Sequence, residues 1–279
     1  MTQQKHTTRR TVLSGIVTGA AVAVSGCLSG SENGGSENGV PDLDDDELFE
    51  DIFVEGTELV LEFTENSSVE QVNVIDPNGE SFAERSIAAG VDRETIEIGT
   101  EYEPGDYDVV ALEGGDEQTT QSVTIKPDVR ITDLRLARNH PDEMFEGASD
   151  IDIRTETIIS VENLGTGPDE AVRLTFSGDA PRPTPDEYDG SGIYDEESSI
   201  RREADSIELP PGEGIILYSQ LMPFSASGEN ASCSPETEEG AFRVILETVV
   251  QENSPSKEYG VSFTGEELND CTIEIEVNS

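Results

Sequence analysis

The sequence predicts an all-β chain: two consecutive β-sandwiches carried behind an N-terminal leader and a flexible tether. Two observations lead there. Apolar and polar residues alternate in short runs, the period of a half-buried strand. Turn residues such as Asp76-Pro77-Asn78-Gly79, Gly114-Gly115 and Pro210-Pro211-Gly212 interrupt those runs at the spacing expected of a sandwich. A length of 279 residues suits one or two such bodies. The division read from the sequence is a leader over 1–26, a tether over 27–47, a first sandwich over 48–127, and a second over 128–279 that carries a long loop at 178–206.

The leader begins with Lys5, Arg9 and Arg10 and contains no acid. Its apolar run, Val12 to Val24, has about 13 residues, against roughly 20 needed to cross a bilayer. A short apolar stretch behind a basic start reads as an export signal. Arg9-Arg10, preceded by Thr7-Thr8 and followed by Thr11-Val12-Leu13, resembles the twin-arginine signal, which implies export of an already folded protein. Val24-Ser25-Gly26-Cys27 resembles the lipobox of bacterial and archaeal lipoproteins. That resemblance makes Cys27 the lipid acceptor, with each buried chain methylene contributing about 0.8 kcal/mol to anchoring. The alternative is a chance cysteine behind an ordinary signal. The expected address is the extracellular face of the membrane, lipid-anchored. The following LSGSENGGSENGVP is Gly/Ser/Asn-rich and reads as flexible coil.

Composition bounds the solvent and the partners. Asp and Glu number 61 against 16 Lys and Arg, a net charge of −45, and only three lysines occur. Because the acids lie between regular apolar alternations, the chain is expected to fold despite its charge. Acid-rich, lysine-poor composition resembles that of proteins from salt-loving archaea. In molar salt the Debye length falls to about 3 Å and carboxylate repulsion is largely screened. Nucleic acid is excluded as a partner, since Arg201-Arg202 is the densest basic point beyond the leader.

With Cys27 lipidated, Cys233 and Cys271 remain, and an even pair in an exported body reads as a disulfide. Such a bridge would stabilise by roughly 3–4 kcal/mol on the chain-entropy view. Two unpaired thiols are the other reading, because sequence does not show proximity. The acidic stretch DLDDDELFED at 42–51 lacks EF-hand spacing and a turn glycine, so it reads as a solvated segment, not a calcium loop. No metal site and no cofactor is expected.

In the first sandwich, Leu59, Leu61 and Phe63 share one face, as do Val72 and Val74. ESFAERSI and Thr95–Ile98 follow as strands, and QTTQSVTI closes the body at Pro127. The segment PGDYDVVAL resembles the PGxYxV strand of immunoglobulin-like surface domains, which implies a structural Tyr107 packed at a corner and bonded to backbone. The second sandwich is expected to have about seven strands, over DVRITDLRL, TETIISVEN, EAVRLTFSG, SIELPPGEGIILYSQ with its Pro210-Pro211-Gly212 turn, GAFRVILETVV, KEYGVSFTG and CTIEIEV. Its opening strand, a hairpin over VENLGTGP and VRLTF, and the LPPGEG turn resemble the cell-adhesion-related (CARDB-like) domain of bacterial and archaeal surface proteins. That family brings no catalytic residues with it.

Residues 139–150 and 178–206 read as irregular. The second stretch is too long for an ordinary connection. It holds Arg182, Tyr188, Tyr194, Arg201 and Arg202, residue types that binding surfaces use. It reads either as a partner-binding loop or as an acidic insertion without fixed structure. Beyond the leader there is one histidine, His140, and no nucleophile elbow, zinc-binding HExxH or phosphate-binding glycine loop. Asn66 and Asn230 head glycosylation sequons. The expected function is a non-enzymatic binding, adhesion or structural module of a cell envelope, with an envelope protein or glycan as partner. The alternatives are an accessory subunit of a transporter or secreted enzyme, and a carboxylate-based hydrolase.

Overall fold

The computed structural model describes residues 48–65, 67–196, 198, 202–225, 238–265 and 271–277. Arg9, Arg10, Cys27, Asn66, Arg201, Asn230 and Cys233 lie outside the described residues, and so do the leader and the tether.

The first sandwich contains β1 (Phe49–Glu55), β2 (Glu58–Phe63), β3 (Gln71–Ile75), β4 (Ser81–Ser86), β5 (Arg93–Glu97), β6 (Gly105–Glu113) and β7 (Asp116–Ile125). Its sheets run β1-β2-β5 and β4-β3-β6-β7, and every pairing is antiparallel. Leu59, Leu61 and Phe63 of β2 meet Val72 and Val74 of β3 and Tyr107, Val109 and Ala111 of β6 in one core. These are the faces the alternation assigned. Tyr107 is fully buried and donates its hydroxyl to the Glu103 carbonyl at 2.8 Å, as the immunoglobulin-like strand implied. Burial moves its pKa up to about 12. The turn after β3 closes on Asp76, whose Oδ1 accepts the Asn78 and Glu80 amides at 2.9 and 2.8 Å.

The second sandwich contains β8 (Val129–Leu136), a short helix α1 (Asp150–Thr155), β9 (Thr157–Asn163), β10 (Asp169–Gly178), β11 (Ile207–Leu209), β12 (Gly214–Tyr218), β13 (Glu238–Thr248), β14 (Ser256–Thr264) and β15 (Thr272–Val277). That is eight strands among the described residues, one more than the sequence suggested. The sheets are β11-β10-β13-β14-β15 and β12-β9-β8. Consequently, two connections read as simple turns are corners. The Pro210-Pro211-Gly212 turn passes the chain from β11 in the larger sheet to β12 in the smaller. VENLGTGP likewise carries it from β9 to β10 instead of closing a hairpin.

A buried asparagine organises that second corner. Asn163 accepts the Asp128 and Gly165 amides at 3.1 and 3.0 Å and donates to the Gly167 and Leu209 carbonyls, both at 2.9 Å. The same corner docks on the first sandwich. Tyr102 donates to the Pro168 carbonyl at 2.8 Å, Thr166 bonds the Thr124 and Lys126 carbonyls, and Val250 packs into the first core. A Cβ on Gly165 would collide with the Lys126 carbonyl, and one on Gly167 with the Tyr102 hydroxyl. Glycine is therefore required there by close approach.

Helix α1 was not foreseen. Ser149 accepts the Asp152 amide at 3.3 Å, and Asp152 accepts the Ser149 amide at 2.9 Å, a reciprocal N-terminal cap that starts the helix.

Candidate functional site

The long segment at 178–206 closes an open side of the second sandwich. It lies against the β10 backbone that β11 leaves unpaired: Leu174 donates to the Ser191 carbonyl at 2.7 Å, and Thr184 exchanges two bonds with Phe176. It then crosses to the other sheet, where Tyr194 donates to the Tyr218 carbonyl and Gln220 to the Gly192 carbonyl. Ala180 and Ile193 enter the main core fully buried. The described part of this insertion thus has fixed structure, and it caps two strand edges that would otherwise be free.

Between this segment and β10 lies a cavity of about 620 Å³, lined by Val172, Arg173, Asp189–Ser191, Arg202–Asp205 and Gln220. The volume is that of a small-molecule site. Its lining is mostly polar; among the described residues Val172 and Ala204 are the only apolar side chains. Two adjacent β10 residues reach it because the ladder with β13 shifts register between Ala171 and Arg173. A bulge there breaks the in-out alternation and turns both Val172 and Arg173 toward the cavity.

Arg173 is half-buried and has no hydrogen bond or ion pair among the described residues, although Glu247 stands opposite it in register. The Asp189 carboxylate and Gln220 amide likewise have no side-chain partner among the described residues. Glu203 differs: the Tyr188 hydroxyl donates to its Oε1, and burial raises its pKa. Gly190 packs so tightly on this pair that a Cβ would strike both side chains. Arg202 is largely exposed and lies 4.0 Å from Asp152.

The wall carrying Gln220 is fixed from behind by a buried carboxylate. Glu156, 2% exposed, accepts the Ser219 hydroxyl at 2.5 Å, the Leu221 amide at 3.2 Å and the Met222 amide at 2.9 Å. Met222 has a positive φ of 52°, an unusual conformation for a side chain of that size. Burial lifts the Glu156 pKa to about 7, with Asp152 adding to the rise and the three donors opposing it. Arg138 ties the same region together. Its partly buried guanidinium donates to the carbonyls of Arg154, Phe224 and Cys271, and desolvation lowers its pKa.

Of the loop residues singled out in sequence, Tyr188 and Arg202 belong to the cavity or its immediate wall. Tyr194 does not: it stacks on Phe145 with ring centroids 3.6 Å apart, in a satellite cluster with Tyr218. Arg182 is exposed and, among the described residues, is held only through its backbone amide, to the Pro223 carbonyl. Arg173, Asp189 and Gln220 were missed. None of the three carries a sequence pattern that marks it. Cys271 is disulfide-bonded, and the chain's other cysteines, Cys27 and Cys233, both lie outside the described residues.

His140 lies elsewhere, beside a second cavity of about 400 Å³ between the edge strands β8 and β15. Its Nδ1 is 3.0 Å from Glu143 Oε1, and no hydroxyl nucleophile joins them among the described contacts. Among the described residues no group of three or more His, Cys, Asp or Glu side chains is placed to hold a metal ion, and no helix is long and apolar enough to cross a membrane.

No family model and no curated protein matches the chain. Among solved structures it is similar to a two-domain fibronectin type-III segment of chicken tenascin, at 10% identity over 82% of this chain and 98% of that one, with a TM-score of 0.28. It is similar to a glycosyl hydrolase family 2 member from Bacteroides cellulosilyticus at 18% identity over 72% of this chain, with a TM-score of 0.20. The BSP domain of a biofilm-associated protein is matched at 9% identity over 73% of this chain and 26% of that one, with a TM-score of 0.23. This chain spans 24% of the length of the glycosyl hydrolase. Likenesses at these TM-scores carry no argument about ligand, activity or partner; the all-β architecture rests on the sheets themselves.

Proposed function

We propose that the chain is a non-enzymatic binding module on the outer face of a cell membrane, exported by the twin-arginine route and held by lipid on Cys27. Its acid excess suits a brine-adapted archaeal envelope, with an envelope protein or glycan as partner and no role for nucleic acid. Cys271 is paired with Cys233 in this reading, and Asn66 and Asn230 are available for glycans. One observation carries the choice of a binding module: the described part of a long insertion builds a polar cavity around Arg173, which has no side-chain partner among the described residues. A half-desolvated guanidinium is costly to leave unpaired, and a ligand anion would offset that cost.

The test is retention on envelopes. Wild-type protein should co-sediment with envelopes from salt-grown cells, and the double variant Arg173→Gln, Gln220→Ala should be washed off while melting at the same temperature. Equal retention of both proteins would refute the site. Mass spectrometry of the native protein addresses the anchor: an unmodified Cys27 behind an intact leader would remove it.

A carboxylate-based hydrolase is favoured by one feature, the half-buried Glu203 in a cavity that also holds Asp189 and Asp205. Against it, Glu203 is already engaged by Tyr188, an arrangement that fixes the wall and leaves less of the carboxyl free as a general acid. Release of reducing ends from an oligosaccharide, abolished by Glu203→Gln, would establish the hydrolase.

A further inference from the structure

We infer that the cavity between β10 and the 178–206 segment holds an acidic saccharide, with Arg173 on its carboxylate and Asp189 and Gln220 on its hydroxyls; this rests on the binding-module reading above. The lining decides the class. A cavity of about 620 Å³ whose described lining offers two small apolar side chains, Val172 and Ala204, fits a ligand that is polar over most of its surface. That disfavours lipids, aromatic compounds and peptides with apolar anchors, whose affinity comes from buried apolar area. A polyhydroxylated ring satisfies the donors and acceptors on offer. Gln220 supplies both an amide donor and an acceptor, Asp189 accepts, and Ser191 has a hydroxyl.

Charge narrows the class further. Arg173 presents a planar fork of donors that matches a carboxylate in two parallel bonds. Such contacts act at hydrogen-bond distance, where salt screening is weakest, so they persist in brine that abolishes longer-range attraction. The surrounding acids Asp189, Glu203 and Asp205 set the opposite limit. A densely charged polyanion would meet repulsion on every side of the arginine, whereas a sugar with one carboxylate per ring would not. Arg173 faces away from the core in regular alternation with the buried Leu174 and Phe176, and the bulge in β10 brings Val172 to the same side.

The full chain in multimolar KCl is titrated calorimetrically with disaccharides of galacturonic, glucuronic and mannuronic acid, and with their methyl esters. At least one free acid should bind saturably, with its ester weaker by about tenfold, the loss expected for a hydrogen bond to a charged group. Arg173→Gln should lower affinity for the acid by about the same factor and leave the ester unchanged. Arg173→Lys, which keeps the charge and loses the fork, should fall between them. Equal affinity for acid and ester, an Arg173→Gln variant that binds as wild type, or no binding of any of these sugars would overturn the assignment. The two readings fail separately. If Arg173→Gln, Gln220→Ala still abolishes envelope retention while no uronic acid binds, the ligand class falls and the site stands; if retention is indifferent to those changes, both fall.

Discussion

In the first sandwich no charged side chain is buried among the described residues, whereas the second buries Asp152, Glu156 and Asp169 along with Asn163, Ser191 and Ser219. The connections differ in the same way. In the first body none between successive strands exceeds seven residues; in the second, 137–156 and 179–206 are long excursions. Short turns can satisfy their own backbone, as Asp76 does after β3. Long excursions laid across a sandwich cover backbone amides that neither sheet can pair, and each needs a partner. The same need arises in the other connections of this body: Asp169 accepts the Val250 and Gln251 amides at 2.9 and 3.0 Å between β13 and β14, and Glu156, from the first excursion, accepts the Leu221 and Met222 amides after β12 at the cavity wall. The buried polar side chains of the second body are therefore the means by which irregular chain is held still enough to shape a cavity.

Removing salt should have the largest effect and should test whether the two bodies differ in kind or only in detail. Residues 48–127 carry 20 Asp and Glu against 3 Lys and Arg, and residues 128–279 carry 34 against 10. The first body is shorter and holds proportionally more unbalanced charge, so it should lose structure at the higher salt concentration as KCl is dialysed away, with the second following. Segment-resolved hydrogen exchange would show the order. A melting temperature that does not change between multimolar and ordinary-buffer KCl would contradict the brine reading for both.

A pair of substitutions sharpens the contrast at the next level of effect. Asn163→Ala leaves the Asp128 and Gly165 amides and the Gly167 and Leu209 carbonyls without their partner, at a cost of roughly 3–5 kcal/mol. Tyr107→Phe removes one hydrogen bond and keeps the packed ring, at a cost of about 1 kcal/mol. Equal losses in chemical denaturation at high salt would mean that polar corners matter no more in the second body than in the first.

How much could be read in advance follows the same division. Leu59, Leu61, Phe63, Val72 and Val74 repeat with the period of a strand, and their burial was legible because a regular ladder preserves that period. Tyr107 was legible from its neighbours in PGDYDVV. The bulge at β10 was not: Val172, Leu174 and Phe176 read as one apolar face in EAVRLTF, and the extra residue turns Val172 to the side of Arg173. Ser149-Asp150-Ile151-Asp152 at the start of helix α1 did carry a signal, a capping pattern three residues apart, but so short a helix gives no apolar period to support it. Glu156 left no trace, since nothing local separates a buried glutamate from the other acids of so acidic a chain. Its position is set by residues more than sixty places away in sequence.

That glutamate gives the most specific of these effects, a dependence on pH. The folded protein holds the Glu156 pKa near 7, above the ordinary value of 4.5, because burial penalises the carboxylate more than its three donors favour it. Between those two values the folded state keeps a proton that the unfolded chain has released. Stability from this group is therefore complete below about 4.5 and is lost as pH rises toward 7, by at most on the order of 3 kcal/mol. Glu156→Gln cannot titrate, so its stability should lack this decline while wild type shows it, both measured by denaturation at constant high salt. Above pH 7 the charged carboxylate still accepts the Leu221 and Met222 amides, so the wall carrying Gln220 should keep its shape as the fold weakens. If the variant and wild type fall in parallel over this range, the slope belongs to the surface acids common to both sandwiches, and the buried carboxylates of the second would lose their claim to distinguish it.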